Sequence, residues 1–160
     1  MVHFVSGNMF DQHYDILVNT VNCVGVMGAG VALAFKKRYP DMFVEYKDFC
    51  ARGWIRPGQI HLYQEIDHEI INFPTKRHWR DNSRYEDIQS GLKALRRHLE
   101  QSGTPKVALP ALGCGHGGLD WRRVSRMIEH HLGDLDADIY VFEPQDSRNA
   151  GNRAKNERRK

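Results

Sequence analysis

The chain has few cysteines, and their placement excludes two common kinds of site. Cys23, Cys50 and Cys114 are the only ones among 160 residues. Their odd number and wide spacing provide neither a disulfide framework nor a C-x-x-C metal pair. The nine histidines are scattered, and the adjacent His130 and His131 would point to different sides of a helix. The sequence therefore predicts no metal centre, and we expect the cysteines beside glycine-rich loops to pack rather than to act as nucleophiles.

Long apolar runs are also absent. No segment approaches the roughly 20 apolar residues needed to span a bilayer. The first ten residues, MVHFVSGNMF, lack the charged-then-apolar layout of a secretory signal. We therefore expect a cytoplasmic protein with no membrane partner.

Charge is unevenly distributed along the chain. The net charge is +3, and residues 148–160 carry six of the 23 Lys and Arg against one acid, without apolar periodicity. We expect 1–147 to form one domain and 148–160 to be a basic disordered tail or the start of a linker. Without that segment the domain is nearly neutral, so net charge alone does not predict nonspecific binding to nucleic acid.

Apolar patterns of the strand and helix kinds alternate along the chain. We expect strands at 2–5, 15–22, 59–65, 68–74, 106–110 and 138–144, and helices at 31–40, 41–53, 85–99 and 119–132. Such alternation builds a mixed, mostly parallel sheet with helices on both faces. The predicted fold class is therefore α/β, in three α/β/α layers.

Local signals place some boundaries. Pro40 is expected to end the first helix and Asp41 to cap the second, whereas Asp120 is expected to cap the last helix or to lie in its first turn. Leu62 is expected to be partly buried in an alternating strand. The polar segment 75–84 has no period and predicts a loop.

A glycine loop joins a strand to a helix twice, at 25–30 and at 113–118. Ligands of such sheets bind outside the carboxyl ends of the strands, so both loops should line one crevice. Glycine lets the backbone approach a ligand closely, and a helix N-terminus offers N–H groups to an anion. Neither loop is G-x-G-x-x-G, and the Walker pattern G-x-x-x-x-G-K-[ST] is absent. Two facing loops could clamp a diphosphate.

These motifs resemble those of a known family. The N-terminal strand with SGNMF, the run NTVNCVGVMGAGVALAFKKRYP and the run LPALGCGHGGLDW are similar to the macrodomain family throughout residues 1–144. Within it the DarG-type macrodomains are most similar. These are metal-independent antitoxins that remove ADP-ribose from thymidine in DNA.

The resemblance also implies which residues bind ADP-ribose. Gly7, Asn8, Met9 and Phe10 match the turn at the adenine end, where many macrodomains have aspartate in place of Asn8. Thr20 and Asn22 match residues beside the distal ribose, and Phe142 and Pro144 would flank the adenine. The first phosphate loop would comprise Gly28, Ala29, Gly30 and Val31, and the second Ala111, Leu112, Gly113, Cys114, Gly115, His116, Gly117 and Gly118.

For catalysis, Lys76 matches the lysine that similar glycohydrolases carry near the distal ribose. A neutral lysine could act as a nucleophile or form an imine with opened ribose, and a charged one could polarise the leaving carbonyl. Asn22 would orient the ribose or a water, and His116 is either a proton donor or a packing residue. Protein-directed relatives carry an aspartate at the position of Gly117, and its absence favours the DNA-directed branch.

The loop after Lys76 carries Arg77, His78, Trp79 and Arg80, with Arg84 beyond. Cations beside an aromatic ring favour contact with single-stranded DNA, although Trp79 folded onto the core is the alternative. The resemblance thus implies a DNA ADP-ribosyl glycohydrolase antitoxin without cofactor, with a possible DNA ADP-ribosyltransferase toxin as partner. The alternatives are a hydrolase of ADP-ribosylated glutamate or aspartate in proteins, and a non-catalytic ADP-ribose-binding module.

Overall fold

The computed structural model describes residues 1–144, and six strands form its centre. The strands are β1 (Val2–Val5), β2 (Ile16–Val21), β3 (His61–Gln64), β4 (Glu69–Pro74), β5 (Lys106–Pro110) and β6 (Asp138–Phe142). Their order in the sheet is β1-β6-β5-β2-β4-β3. Every neighbouring pair is parallel except β3 with β4. The expected segment 148–160 and the last three residues of 1–147 lie outside the described residues.

Four helices cover the two faces of the sheet. They are α1 (Gly30–Arg38), α2 (Pro40–Ala51), α3 (Tyr85–Glu100) and α4 (Trp121–Leu132). One apolar cluster joins α3 and α4 to one sheet face, and a second joins α1 and α2 to the other. The predicted three-layer α/β/α fold is confirmed. No helix within residues 1–144 is long and apolar enough to cross a membrane.

The helices that the periodicity predicts most clearly are α3 and α4. Ile88, Leu92 and Leu95 are fully buried along α3, because spacings of three and four residues put them on one face. Asp120 caps α4, since its carboxylate accepts a hydrogen bond from the Arg122 N–H at 2.9 Å. The predicted role of Asp120 is thereby confirmed.

Three local expectations are wrong. Helix α1 already ends at Arg38, and Pro40 opens α2, where its missing N–H is tolerated in the first turn. Asp41 lies within that first turn and does not cap the helix, whose N-cap residue is Tyr39. Leu62 is 41% exposed because β3 is an edge strand and this side chain is not covered by a helix.

The strand ends determine where the functional loops lie. Strands β6, β5, β2 and β4 are mutually parallel, so the segments that follow them leave from one edge of the sheet. Those segments are the one after Phe142, the two glycine loops and the loop 75–84. One edge of the sheet therefore carries every loop that the sequence singles out.

Candidate active site

A cleft with a volume of about 1120 Å³ lies across this edge of the sheet. Gly7 to Phe10 and Phe142 line one end, the two glycine loops line the middle, and Lys76 and Trp79 line the other end. The strand order explains this sequence of lining residues, because it runs from β1 and β6 through β5 and β2 to β4. Four strand spacings correspond to roughly 19 Å. The cleft can hold an extended ligand with its middle against the glycine loops.

The first glycine loop ends in an uncapped helix. Helix α1 begins at Gly30, where φ is +59°, and Ala29 provides no side-chain cap. Its first turn contains no acidic residue. The N–H groups there and the positive end of the helix dipole therefore face the cleft unneutralised, as an anion site requires.

The second glycine loop is held in shape by its own backbone. Gly113 has φ of +72°, and its carbonyl accepts a hydrogen bond from the Leu119 N–H at 3.0 Å. Within residues 1–144, no hydrogen bond uses the N–H groups of Gly115, His116 or Gly117. All three residues line the cleft. This loop thus adds donors that are free to bind a ligand.

The two loops face each other across the cleft. A Cβ placed on Gly30 would lie 4.0 Å from Cδ2 of His116, with nothing closer. His116 itself is exposed. The imidazole of His116 is therefore exposed in the cleft, near the start of α1, and is not packed inside the loop. Its predicted role as a proton donor stays a prediction.

Lys76 lies in the wall of the cleft just past the end of β4. Its N–H shares the Val21 carbonyl with that of Thr75, so the backbone here extends the pairing of β4 with β2. The Nζ group donates a hydrogen bond to the Trp79 carbonyl at 3.2 Å. Because an ammonium group has three N–H donors, two are left for a ligand.

Asn22 lines the cleft, and its side-chain amide also holds the first glycine loop. Its Oδ1 accepts hydrogen bonds from the N–H groups of Val24 and Val26 and from the Tyr46 hydroxyl, at 3.1, 3.3 and 3.0 Å. Its Nδ2 donates to the Val26 carbonyl at 2.7 Å. The amide therefore holds the first glycine loop in shape and keeps one Nδ2 N–H for a ligand, so the predicted role of orienting ribose or water stays a prediction.

Two of the four residues in the loop 77–80 line the cleft and two do not. Arg77 forms a bidentate pair with the buried Asp87, at 3.0 and 3.1 Å. Arg77 is exposed but, like His78, does not line the cleft, so the predicted DNA contacts of these two residues stay predictions. Trp79 and Arg80 do line it, with the Trp79 side chain 46% exposed and the Arg80 guanidinium 4.7 Å from its ring centre. Trp79 is thus not folded back onto the core.

Three predicted ligand-binding residues of the second loop do not line the cleft, namely Leu112, Cys114 and Gly118. Leu112 is fully buried, because it fills the core beneath α3 and α4. Cys114 packs against the same core, and its thiol donates to the Leu112 carbonyl at 3.4 Å. The other five predicted residues of that loop do line the cleft, as do all four of the first loop and Thr20.

At the opposite end, Asn8 is committed to the local fold. Its Oδ1 accepts the Phe10 N–H at 2.9 Å and caps the short 3-10 helix Met9–Asp11. Phe142 and Pro144 line this end, together with Glu143. The capping contact uses one lone pair of Oδ1 and leaves the other lone pair and both Nδ2 donors for a ligand.

Several lining residues were not predicted from the sequence. Asp81 and Asn82 lie beside Trp79 and Arg80, and Val26 and Thr75 border the end near Lys76. The signal for the first two was available, since the segment 75–84 already stood out as a polar loop. Thr75 gave no such signal, because single hydroxyl residues at strand ends are common, whereas Val26 lies within the glycine loop 25–30, which was already expected to line the crevice.

The cysteines nearest the cleft are not activated. Burial raises the pKa of the Cys23 thiol to about 11 and that of Cys114 to about 12. Thiols of this kind are protonated at neutral pH, whereas nucleophilic cysteines are thiolates. Within the described residues, no group of three or more His, Cys, Asp or Glu side chains could hold a metal ion.

Comparison with known proteins agrees with this geometry. The Macro domain family matches residues 18–128. The chain belongs to the macrodomain family. A relative from Thermus aquaticus named DNA ADP-ribosyl glycohydrolase is 43% identical over 149 residues, which cover 90% of this chain and 41% of that protein. The solved macrodomain of Thermus aquaticus DarG is also 43% identical, with a TM-score of 0.85 over 90% of this chain and 99% of that one.

A second relative comes from Thermosipho africanus. It is named a DNA ADP-ribosyl transferase–DNA ADP-ribosyl glycohydrolase fusion protein and is 32% identical over 90% of this macrodomain and 42% of its own length. The structure of Thermosipho africanus DarTG in complex with ADP-ribose has a TM-score of 0.83 and 33% identity, covering 90% of this chain and 42% of that one. This macrodomain thus spans about two fifths of the length of these curated relatives.

Proposed function

We propose that this macrodomain is a glycohydrolase that removes ADP-ribose from ADP-ribosylated thymidine in single-stranded DNA, as the antitoxin of a toxin–antitoxin pair. The observation that carries the proposal is the Lys76 ammonium group in the wall of a cleft whose middle presents the open N–H groups of two glycine loops. The names of the Thermus and Thermosipho relatives support DNA as the carrier of the ADP-ribose. The site of action would be the cytoplasm, where such DNA lies.

The geometry supports a specific placement of the ligand. The diphosphate lies between the start of α1 and the second glycine loop, because both offer N–H donors without an opposing carboxylate. The adenine lies toward Asn8 and Phe142, and the distal ribose lies toward Lys76 at the end of β4. The scissile bond between the distal ribose and the thymine base is then beside Lys76 and Trp79.

Hydrolysis adds the hydroxyl of water to the anomeric carbon and leaves a proton on the base. Lys76 supplies that proton, since its Nζ keeps two N–H donors free while the third is fixed by the Trp79 carbonyl, and the proton that the attacking water loses passes through solvent to restore the Lys76 ammonium group. The step is metal-independent. Asp120 takes no part, since its carboxylate caps α4 and does not line the cleft.

A DNA ADP-ribosyltransferase is the proposed partner. In the Thermosipho africanus relative, a DNA ADP-ribosyl transferase and a DNA ADP-ribosyl glycohydrolase are named together on one fused chain. A transferase that modifies DNA produces the substrate that this macrodomain would clear. ADP-ribose is the proposed product, and the solved Thermosipho africanus DarTG is in complex with ADP-ribose.

The first prediction concerns Lys76. Lys76→Ala should abolish release of ADP-ribose from single-stranded DNA bearing ADP-ribosyl-thymidine, while ADP-ribose affinity stays within a few-fold, because the diphosphate contacts come from the two loops. Release is followed by chromatography and affinity by calorimetry, with Lys37→Ala on the exposed side of α1 as control. EDTA should leave turnover of the unmodified protein unchanged.

Other outcomes would redirect the proposal. Release from an ADP-ribosylated glutamate protein but not from DNA would make the domain a protein-directed hydrolase. ADP-ribose binding without release from either substrate would make it a binding module. Borohydride trapping of an adduct at Lys76 would replace the proton-donor role by a nucleophilic one.

A further inference from the structure

An open groove of about 690 Å³ lies between α3 and α4, on the opposite face of the sheet from α1 and α2. Tyr85 and Gln89 of α3 form one side, and Arg123, Arg126 and Met127 of α4 form the other. None of these residues takes part in the cleft. The groove is therefore a separate surface that the proposed hydrolysis does not use.

The groove begins at the rim of the cleft. Tyr85 opens α3 directly after the loop 75–84, and Asp120 caps α4 directly after the second glycine loop. The Tyr85 hydroxyl accepts a hydrogen bond from the Asp120 N–H at 3.0 Å and so ties the two helix starts together. The entrance of the groove therefore adjoins the ends of both loops that border the cleft.

The groove is positively charged. Arg123 and Arg126 are three residues apart on one helix face, and neither has a carboxylate partner within 4 Å in residues 1–144. Glu86 is the single acid among the residues that line the groove. The pKa of His131 is lowered by its burial and then by the charges of His130, Lys93 and Arg96, which agrees with a positive potential here.

An aromatic ring accompanies these charges. The Arg123 guanidinium lies 3.8 Å from the centre of the Tyr85 ring, so the two flat groups are stacked at the groove entrance. Unpaired cations beside stacked planar groups are the usual means of holding a single strand without reading its sequence, with phosphates on the cations and bases on the planar groups. Arg80 and Arg84, both exposed, continue the charge back to the cleft.

We propose that this groove holds the single-stranded DNA next to the modified nucleotide, with Arg123 and Arg126 contacting its phosphates. The proposal rests on the proposed function, because it requires a substrate attached to DNA. It assigns the two arginines to substrate capture rather than to bond cleavage. The groove should therefore matter only when the substrate has a strand long enough to reach it.

The test compares two substrates: the ADP-ribosyl-thymidine nucleoside and a long single-stranded oligonucleotide with one ADP-ribosyl-thymidine. In the variant Arg123→Ala/Arg126→Ala, kcat/KM should fall about tenfold for the oligonucleotide through KM, and should be unchanged for the nucleoside. Loss of two phosphate contacts should also reduce the slope of log kcat/KM against log salt concentration by about 1.4. The matched control is Lys37→Ala/Arg56→Ala, which removes the same charge from exposed positions near α1 and α2.

Equal effects in the two double variants, or none in either, would overturn the groove assignment while turnover of both substrates still supports the glycohydrolase. Unchanged DNA kinetics together with weaker binding of an ADP-ribosyltransferase partner would assign the groove to a protein and also overturn it. Failure of the unmodified protein to release ADP-ribose from any DNA substrate would instead overturn the proposed function.

Discussion

Gly115 and Gly117 both line the cleft, yet their surroundings differ sharply. A Cβ on Gly117 would lie 2.3 Å from the Gly113 carbonyl oxygen and 2.3 Å from Ser83 Oγ. A Cβ on Gly115 would meet no atom within 4 Å. Only Gly117 is therefore required by the packing of the loop against Ser83.

This difference predicts opposite results for one substitution. Gly117→Ala should weaken ADP-ribose binding by about tenfold or more and lower the thermal unfolding temperature, because the loop must move away from Ser83 to admit a methyl group. Gly115→Ala should change both quantities little. Calorimetry and thermal denaturation measure the two effects, and normal affinity in Gly117→Ala would refute the clamp formed by the two loops.

Strands β2 and β4 are joined by a buried pair of amides as well as by their backbones. Asn19 and Asn72 are partners in the parallel register, both fully buried, and Asn19 Nδ2 donates to Asn72 Oδ1 at 3.0 Å. Asn72 Nδ2 lies 2.9 Å from Nδ1 of His61, whose Nε2 reaches Glu45 at 2.7 Å. A line of polar contacts thus runs from the middle of the sheet across β3 to α2.

Breaking this line should destabilise the fold. Asn72→Leu introduces an apolar side chain, leaves His61 Nδ1 without its partner and leaves Asn19 Nδ2 with only its 3.8 Å contact to Met27 Sδ, at about 1–3 kcal/mol for each buried group. Urea denaturation measures the loss, with Ile71→Leu in the same strand as a volume-conserving control that should stay below about 1.5 kcal/mol. Equal losses in the two variants would mean that the amides contribute nothing specific.

Helices and strands could be predicted from the sequence where the burial of one face places apolar residues at a regular spacing. The spacing of Ile88, Leu92 and Leu95 predicts α3 because one face of that helix is fully covered by the sheet. The burial of Leu62 was wrongly predicted because β3 is an edge strand. Whether a strand lies at the edge depends on which strands pair, and the local sequence pattern does not show this. The use of the Asn22 amide within its own loop was equally hidden, because it depends on Tyr46 of a later helix.

The glycine loops of the site were predictable because two strand–loop–helix units leave the same sheet edge. The groove between α3 and α4 was not, because it arises where two helices far apart in sequence meet. The different positions of Arg77 and Arg80 relative to the cleft could not be predicted either. The difference depends on Asp87, a buried carboxylate in the first turn of α3 that binds the Arg77 guanidinium outside the cleft, while the Arg77 side chain stays 45% exposed.

At the scale of the whole molecule, buried thiol and phenol groups make the free energy of unfolding depend on pH in the alkaline range. The pKa of Cys23 rises from an ordinary 9.0 to about 11 and that of Cys114 to about 12, in both cases through burial, and burial also raises that of Tyr46. At a pH between the ordinary pKa of a thiol and its raised pKa in the folded protein, the unfolded chain releases a proton that the folded chain keeps. The free energy of unfolding is therefore insensitive to these groups below about pH 9 and falls as pH rises beyond it.

Urea denaturation under reducing conditions from about pH 8 to about pH 11 should show this decline. The variant Cys23→Ser/Cys114→Ser, which lacks both thiols, should have a shallower dependence on pH over the same range. An equally steep curve in that variant would attribute the decline to other groups.

The edge position of β1 has a consequence for synthesis of the protein. Val2–Val5 pairs only with Ile139–Phe142 within the described sheet, so during synthesis β1 has no partner strand until β6 has been made. Gly7 and Asn8, which continue from β1, form one end of the cleft together with Phe142. A nascent chain that stops before Phe142 contains both glycine loops but lacks this end of the cleft. The complete cleft can therefore form only after β6 has been translated.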